Sequence, residues 1–312
     1  MSIFGRSTFS AAGYAAARPS YPSSLYEHIL RFHGTESQRK MLIDIGCGPG
    51  TATVAFSDYF DCVVGLDPSA NMVQQASALH ASKNSHMSFR IGSAEDLSFL
   101  PAGSVDVAVA SQSAHWFDYG KAWPELARVL RHGGTLAFWG YNDNILVGHP
   151  AATAVFYDFL YRPDEDGDVA PGMHSMGRYW EQPGRSILRT KFADVALPAQ
   201  DWVGEKRTLY QPDAKTCVVD KADAEKTPIW LEKHMSLGQF EAYARTFSSY
   251  RGWCDANPQF VARAQGGQGD IVDIMFDQMR EVTPGWKAAG DKWREIEVDA
   301  VWGTVLVMAK RS

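Results

Sequence analysis

Between Met41 and Gly50 the chain reads Met-Leu-Ile-Asp-Ile-Gly-Cys-Gly-Pro-Gly, an apolar run that breaks into glycine at alternate positions 46, 48 and 50. The run is long enough for a buried strand, and the glycines end it in a tight turn after which a helix is expected. Glycine is needed where φ turns positive or where backbone must approach a ligand closely, and the amides at the next helix N-terminus face the same crevice. A nucleotide-like group fits such a turn.

The segments around this turn alternate regularly. Residues 25–32 carry helical periodicity (Leu25, Ile29, Phe32) after the Arg18-Pro19-Ser20-Tyr21-Pro22 turn. Residues 51–60 read as a crossover helix and 62–66 as a second buried strand ending at Asp67. An acid at that tip, 23 positions after Asp44, suits hydrogen bonds from ribose hydroxyls. Pro68-Ser69 opens a helix through Leu79, and 87–91 is a third strand followed by Ser93-Ala94-Glu95-Asp96. A fourth strand over 105–110 ends in the polar and aromatic cluster Ser111-Gln112-Ser113-Ala114-His115-Trp116-Phe117-Asp118. A helix over 123–130 and a fifth strand over 135–139 complete the alternation. This rhythm predicts a doubly wound, mostly parallel sheet with ligands at its carboxyl edge.

Beyond Gly140 the rhythm changes. Residues 151–161 read as a helix and 163–171 as an inserted acidic loop. Asp164-Glu165-Asp166-Gly167-Asp168 resembles the start of a calcium loop, but the twelfth position is Ser175 rather than a bidentate Glu, so no metal is expected. Residues 202–209 form a further strand, Phe240, Tyr243, Ala244 and Phe247 mark one helix face, and 296–309 form a closing strand. The helices between these strands are expected to cap the ligand edge. With 312 residues, 45% of them hydrophobic, the chain can bury a full core as one large domain with an insertion or as two small ones. A formal charge of -6 provides no general basic field, which argues against nucleic acid and for a small-molecule substrate. The four cysteines show no metal-ligand spacing, and no apolar run reaches transmembrane length, so no membrane association is expected. The cytosol is the default location. The alternative is mitochondrial import, because no acid precedes Glu27 and Arg6, Arg18 and several serines do.

Two cofactor classes compete for the glycine turn. A dinucleotide would place its pyrophosphate there, yet Thr51 replaces the last glycine of Gly-x-Gly-x-x-Gly and Asp44 would repel the phosphates. The same carboxylate suits a ligand carrying an ammonium and a sulfonium, which is S-adenosylmethionine (SAM). His115, at the end of the fourth strand, is the candidate catalytic base should the acceptor need to lose a proton. Arg185 is a candidate anion ligand, with Glu181 as its alternative local partner.

Asp44-Ile-Gly-Cys-Gly-Pro-Gly50 with Asp67 resembles the class I SAM-dependent methyltransferases, whose core is Rossmann-like. Tyr14-Ala-Ala-Ala-Arg18-Pro-Ser-Tyr21-Pro22, Ala114-His-Trp-Phe-Asp118, Trp139-Gly-Tyr141, Tyr179-Trp-Glu-Gln-Pro-Gly-Arg185 and Arg245-Thr-Phe-Ser-Ser-Tyr250 are similar to the trans-aconitate methyltransferase group, its fungal members above all. The resemblance implies a single methyltransferase domain. Residues 1–40 would form a helical lid, 41–140 the SAM-binding core, 141–290 an inserted cap including the strand near 202–209, and 291–312 the closing strand. It implies cofactor contacts from Tyr14, Arg18, Asp44, Gly46, Gly48, Asp67, Ala94, Glu95 and Gln112. Trp116, Trp180, Arg185, Phe247, Tyr250 and Trp302 would line the acceptor, an organic acid esterified on a carboxylate oxygen. Two departures bear on which acid: Phe247 where the group has Trp, and Gly303 after Trp302 where it has Asn. The alternatives are O-, N- or C-methylation of a secondary metabolite with His115 as base, or SAM binding without methyl transfer.

Overall fold

The computed structural model of the protein describes residues 18–35, 37–80, 85–162 and 175–312. Tyr14, the acid-poor N-terminal stretch and the 163–171 acidic loop lie outside the described residues. Among the described residues, no group of acidic, histidine or cysteine side chains could hold a metal ion, and no helix is long and apolar enough to cross a membrane.

The alternation expected from sequence is present. Helix α1 (Ser23–His33) buries Leu25, Ile29, Leu30 and His33 along one stripe and ends at Gly34, whose φ of 111° suits only glycine. Strand β1 (Met41–Ile45) enters the glycine turn and is followed by α2 (Thr51–Phe56), β2 (Cys62–Asp67), α3 (Ala70–His80), β3 (Met87–Ile91), β4 (Val105–Ser111), α4 (Tyr119–Val129) and β5 (Leu130–Leu146). Helix α4 starts four residues earlier than 123, because the Asp118 carboxylate caps it by accepting the Gly120 amide at 3.2 Å. Strands β1 to β5 pair in parallel in the order β3-β2-β1-β4-β5, with the reversal of strand order between β1 and β4. In open sheets of this kind the ligand crevice lies at that reversal, outside the carboxyl ends.

The second half of the chain adds antiparallel strands and helices. After α5 (Pro150–Tyr161) and α6 (Gly184–Arg189) come β6 (Trp202–Tyr210), α7 (Ala222–Lys226), β7 (Glu232–Ser236), α8 (Leu237–Ala244), α9 (Ser248–Ala256), α10 (Ile271–Glu281), α11 (Pro284–Ala288) and β8 (Glu297–Arg311). Strand β8 pairs with β5 along one edge and with β6 and β7 along the other. β5 runs past its expected end at 139 because β8 keeps pairing with it as far as Leu146, after an irregularity between Tyr141 and Asn144. Such an irregularity re-aims the side chains of the bulged segment. Phe247 is not on the face of α8: that helix ends at Ala244, and Phe247 is the N-cap of α9.

Both faces of the sheet are covered, as parallel strands require. Ile43, Ile45, Val64, Leu66 and Phe138 pack with α4 and α6 on one face, while Leu42, Val63, Val107, Val109 and Trp139 pack with α1 and α2 on the other. Truncating a side chain as buried as Phe138 to alanine would cost roughly 3–5 kcal/mol. A further apolar cluster joins α5, α8, α9 and α10 to the ends of β5 and β8 through Tyr141, Phe156, Phe240, Trp253, Phe276 and Trp302. Arg245 organises part of it, reaching Glu241, Asp273 and Asp270, the last of which caps α10.

Candidate active site

A cavity of about 750 Å³ opens at the carboxyl edge, roofed by the α8–α9 region and the segment before α6. Its size lies in the upper part of the range of roughly 300–1,000 Å³ that holds small ligands and cofactors. A second concavity, between Gln38, Tyr59 and His86, is at the opposite, amino ends of β1 and β2 and brings none of the expected site residues together.

At one end of the cavity the backbone does most of the shaping. Gly46, Gly48 and Gly50 have φ of 70°, 54° and 88°, a region that L side chains avoid. A Cβ on Gly46 would land on the Ser113 side chain, whereas one on Gly48 would meet nothing within 4 Å. Asp67 accepts the Gly48 amide on Oδ2 and the Ser69 amide on Oδ1, both at 2.9 Å. Two amides occupy about half of the four acceptor sites of an ionised carboxylate, so the side chain retains capacity for a diol. Burial pushes the Asp67 carboxyl up and the two amides draw it back down. Ala94 and Glu95 also line the cavity, with Glu95 fixed by the Asp118 amide at 2.8 Å. Gln112 lines it too, but its carboxamide is committed to the Tyr141 backbone in both directions, at 2.7 and 2.9 Å.

Asp44 is not in the cavity wall. It is fully buried behind the turn, accepts Thr53 Oγ1 at 2.7 Å on Oδ2, and has no partner for Oδ1 among the described residues. Burial, with the nearby Asp67 charge, pushes its pKa up to about 7. A cation in the cavity would favour its ionised form through that short low-dielectric path.

The other end of the cavity is made of side chains. Arg18 spans Tyr141 Oη and the Thr246 carbonyl, both at 3.3 Å, with its guanidinium 5.2 Å from the Tyr243 ring centre and 5.6 Å from that of Phe247. Arg185 is ion-paired with Asp143, not with Glu181, and lies 4.1 Å over the Trp180 ring. Its Nε has no partner among the described residues. Tyr161 also donates to Asp143, and burial pushes the Asp143 carboxyl up against the pull of both arginines, Arg185 and Arg189. Trp116 stands at the rim, 41% exposed, packed on Gly184. Trp180 and Phe247 form wall, with ring centres 5.7 Å apart. Tyr250 and Trp302 do not reach the cavity. Tyr250 donates to Asp270 at 2.6 Å inside the Arg245 cluster, and Trp302 is buried behind Tyr243, donating its Nε1–H to the Tyr243 hydroxyl at 2.9 Å.

His115 lines the cavity with its ring 4.7 Å from that of Trp116, and its Nδ1 has no partner among the described residues. Burial, together with the Arg185 charge, lowers its pKa to about 3, so the imidazole is neutral at physiological pH. Sequence reasoning missed Tyr141, Asn142, Asp143, Asn144 and Tyr243, which all line the cavity. For the first four, the available signal was a polar run directly after an apolar strand. For Tyr243 there was none beyond helical periodicity.

Known proteins bear on this arrangement. A family profile described as "Methyltransferase domain" matches residues 43–138, from β1 into β5. The chain is 30% identical over 278 residues to the Saccharomyces cerevisiae protein named "Probable S-adenosylmethionine-dependent methyltransferase CRG1", covering 88% of each. The chain belongs to the class I SAM-dependent methyltransferases. This methyltransferase is also 35% identical, over an alignment of 332 residues, to methyltransferase pgmE of Aspergillus terreus, covering 96% of this chain and 92% of that one. A solved methyltransferase structure from Anaeromyxobacter dehalogenans shares its fold, with a TM-score of 0.60 at 23% identity over 94% of this chain and 97% of that one. The cofactor is SAM, and the remaining acceptor capacity of Asp67 beside the open face of Gly48 fits its adenosyl group.

Proposed function

We propose that this methyltransferase esterifies a small organic acid, with Asp67, Gly46, Gly48 and the Ala94-Glu95 segment holding SAM and Arg18 and Arg185 facing the acceptor. The observation that carries the reading is the pair of guanidiniums in the cavity wall beside the end of β5, three strand spacings from Asp67. That separation is about 14 Å, room for an extended cofactor between the two ends. Arg185 gives one nitrogen to Asp143 and lines the cavity, where its remaining guanidinium hydrogens can meet an arriving carboxylate. The helices between β5 and β8 then serve as a cap.

SAM supplies a methyl group that is already activated for displacement. The chain's part is to bind the acid, orient one oxygen and exclude water, since a carboxylate is ionised at neutral pH without help. His115, neutral with a pKa near 3, is poorly suited to hold a proton. Its unpartnered Nδ1 is the one observation favouring a second reading, in which a phenol or amine acceptor gives up its proton there. Within the acid reading, polycarboxylates like trans-aconitate are the first candidates. Phe247 and Gly303 set the fit: Phe247 forms wall, and any Cβ at 303 would land on the Asn142 carboxamide.

The test is incubation with labelled SAM and a panel of di- and tricarboxylates, phenols and amines, with products identified by mass spectrometry. Methylation of an acid together with S-adenosylhomocysteine release is expected. Turnover of phenols or amines alone would overturn the acid reading.

A further inference from the structure

Tyr243 lines the cavity yet is only 2% exposed, so its hydroxyl must satisfy its hydrogen bonds within the wall or with what binds there. The oxygen accepts the Trp302 indole N–H at 2.9 Å. Trp302 is fully buried on β8 opposite Asn144, and that donor has this one partner among the described residues. The indole therefore takes a lone pair of the phenol oxygen and turns the O–H away from itself. No described residue accepts the proton. Arg18, 5.2 Å from the ring centre, and Arg185 are donors only, and the Asp143 carboxylate is engaged by Arg185, Arg189 and Tyr161 and makes no hydrogen bond with Tyr243. The ring itself is held by Phe240, Phe247 and Trp302 at centroid distances of 6.0, 4.9 and 5.7 Å, so the hydroxyl cannot swing to another partner.

We propose that Tyr243 is a substrate-binding residue that donates a hydrogen bond to an oxygen of a second carboxylate group of the acid, not the one being methylated, and that Trp302 is the positioning residue that sets the direction of that O–H. The inference rests on the acid reading above. It gives Trp302 a role through Tyr243 rather than by contact. It also adds a phenol to the two guanidiniums of the same wall, a donor set that matches an oxyanion. Because this oxygen keeps its charge throughout the transfer, the bond is made equally in ground and transition states. Its loss appears in KM and not in kcat.

The experiment is steady-state kinetics of Tyr243→Phe, Trp302→Phe and the double variant with the acid best methylated in a panel of succinate, citrate and trans-aconitate, and SAM binding by calorimetry. Tyr243→Phe is expected to raise KM for the acid on the order of tenfold or more, with kcat within about twofold and SAM affinity unchanged. Trp302→Phe is expected to raise KM by a few-fold, and to add nothing in the Tyr243→Phe background. An unchanged KM in Tyr243→Phe overturns the inference while leaving the acid reading intact. Additive effects in the double variant overturn the positioning role of Trp302. If wild type methylates no acid, the acid reading falls and takes this inference with it. Tyr243→Phe removes one oxygen and keeps the ring, so it decides the main point even if Trp302→Phe fails to fold.

Discussion

The Asp67 end of the cavity and the Arg185 end are assembled in different ways. Around Asp67 the ligand-facing groups come from the tips of β1, β2, β3 and β4, elements that follow one another in the chain, and much of the surface is backbone held by positive-φ glycines. Around Arg185 they are arginines and aromatic rings brought from separate segments, as in the hydrogen bond from Arg18 to the Thr246 carbonyl, 228 positions away. On the proposed reading, the backbone cradle holds the cofactor and side chains from separate segments hold the acceptor. Substitutions at the two ends should therefore separate cofactor binding from acceptor binding.

The largest expected effect is at Asp67. Asp67→Ala removes the acceptor left over for a diol and should weaken SAM and S-adenosylhomocysteine by on the order of ten- to a hundredfold, or roughly 1.4–2.7 kcal/mol, with KM for the acid unchanged at saturating SAM. Calorimetry and kinetics check the split, and equal loss at both ends would break the comparison. Next is Arg185→Lys. A point charge cannot reproduce the fork beside Asp143, so KM for the acid should rise about tenfold while SAM affinity holds. Unaltered kinetics would reduce Arg185 to a structural partner of Asp143.

His115→Gln should change kcat by less than about tenfold with a carboxylate acceptor, and the wild-type rate should show no essential ionisation near pH 6.5. The same residue contributes to the acid sensitivity of the fold. Its folded pKa of about 3 lies below the unfolded 6.5, so the unfolded chain binds the extra proton between those values and stability falls as pH drops through that window. Thermal melts from pH 7 to 4 should show a shallower acid decline in His115→Gln, with His33 and His149, also lowered by burial, keeping part of it. The smallest effect is at Asp44. As it ionises near pH 7, SAM binding should tighten a few-fold between pH 6 and 7, and Asp44→Asn should bind more weakly and flatten that dependence. A pH-dependent Asp44→Asn would assign the titration elsewhere.

How much of this was readable in the chain follows the same division. Strand β2 was bounded to within a residue, and Asp67 was picked out, because a buried parallel strand is an apolar run closed by turn residues. The end of β5 was not, since Tyr141-Asn142-Asp143-Asn144 is polar in sequence and is a strand only because β8 pairs with it from more than 150 positions away. Asp44 looked like a ligand contact because strand position carries no information on depth, and the carboxylate proves to be buried behind the turn. Trp302 looked like a pocket wall for the opposite reason: an indole N–H that organises a tyrosine 59 positions away leaves no local pattern.

The central claim, that the methyl group goes to a carboxylate oxygen, is tested most directly by treating the labelled product with mild alkali. An ester predicts that the label is released as volatile methanol. Label that stays on a non-volatile product after such treatment would place the methyl on nitrogen, carbon or a phenol oxygen and contradict the account.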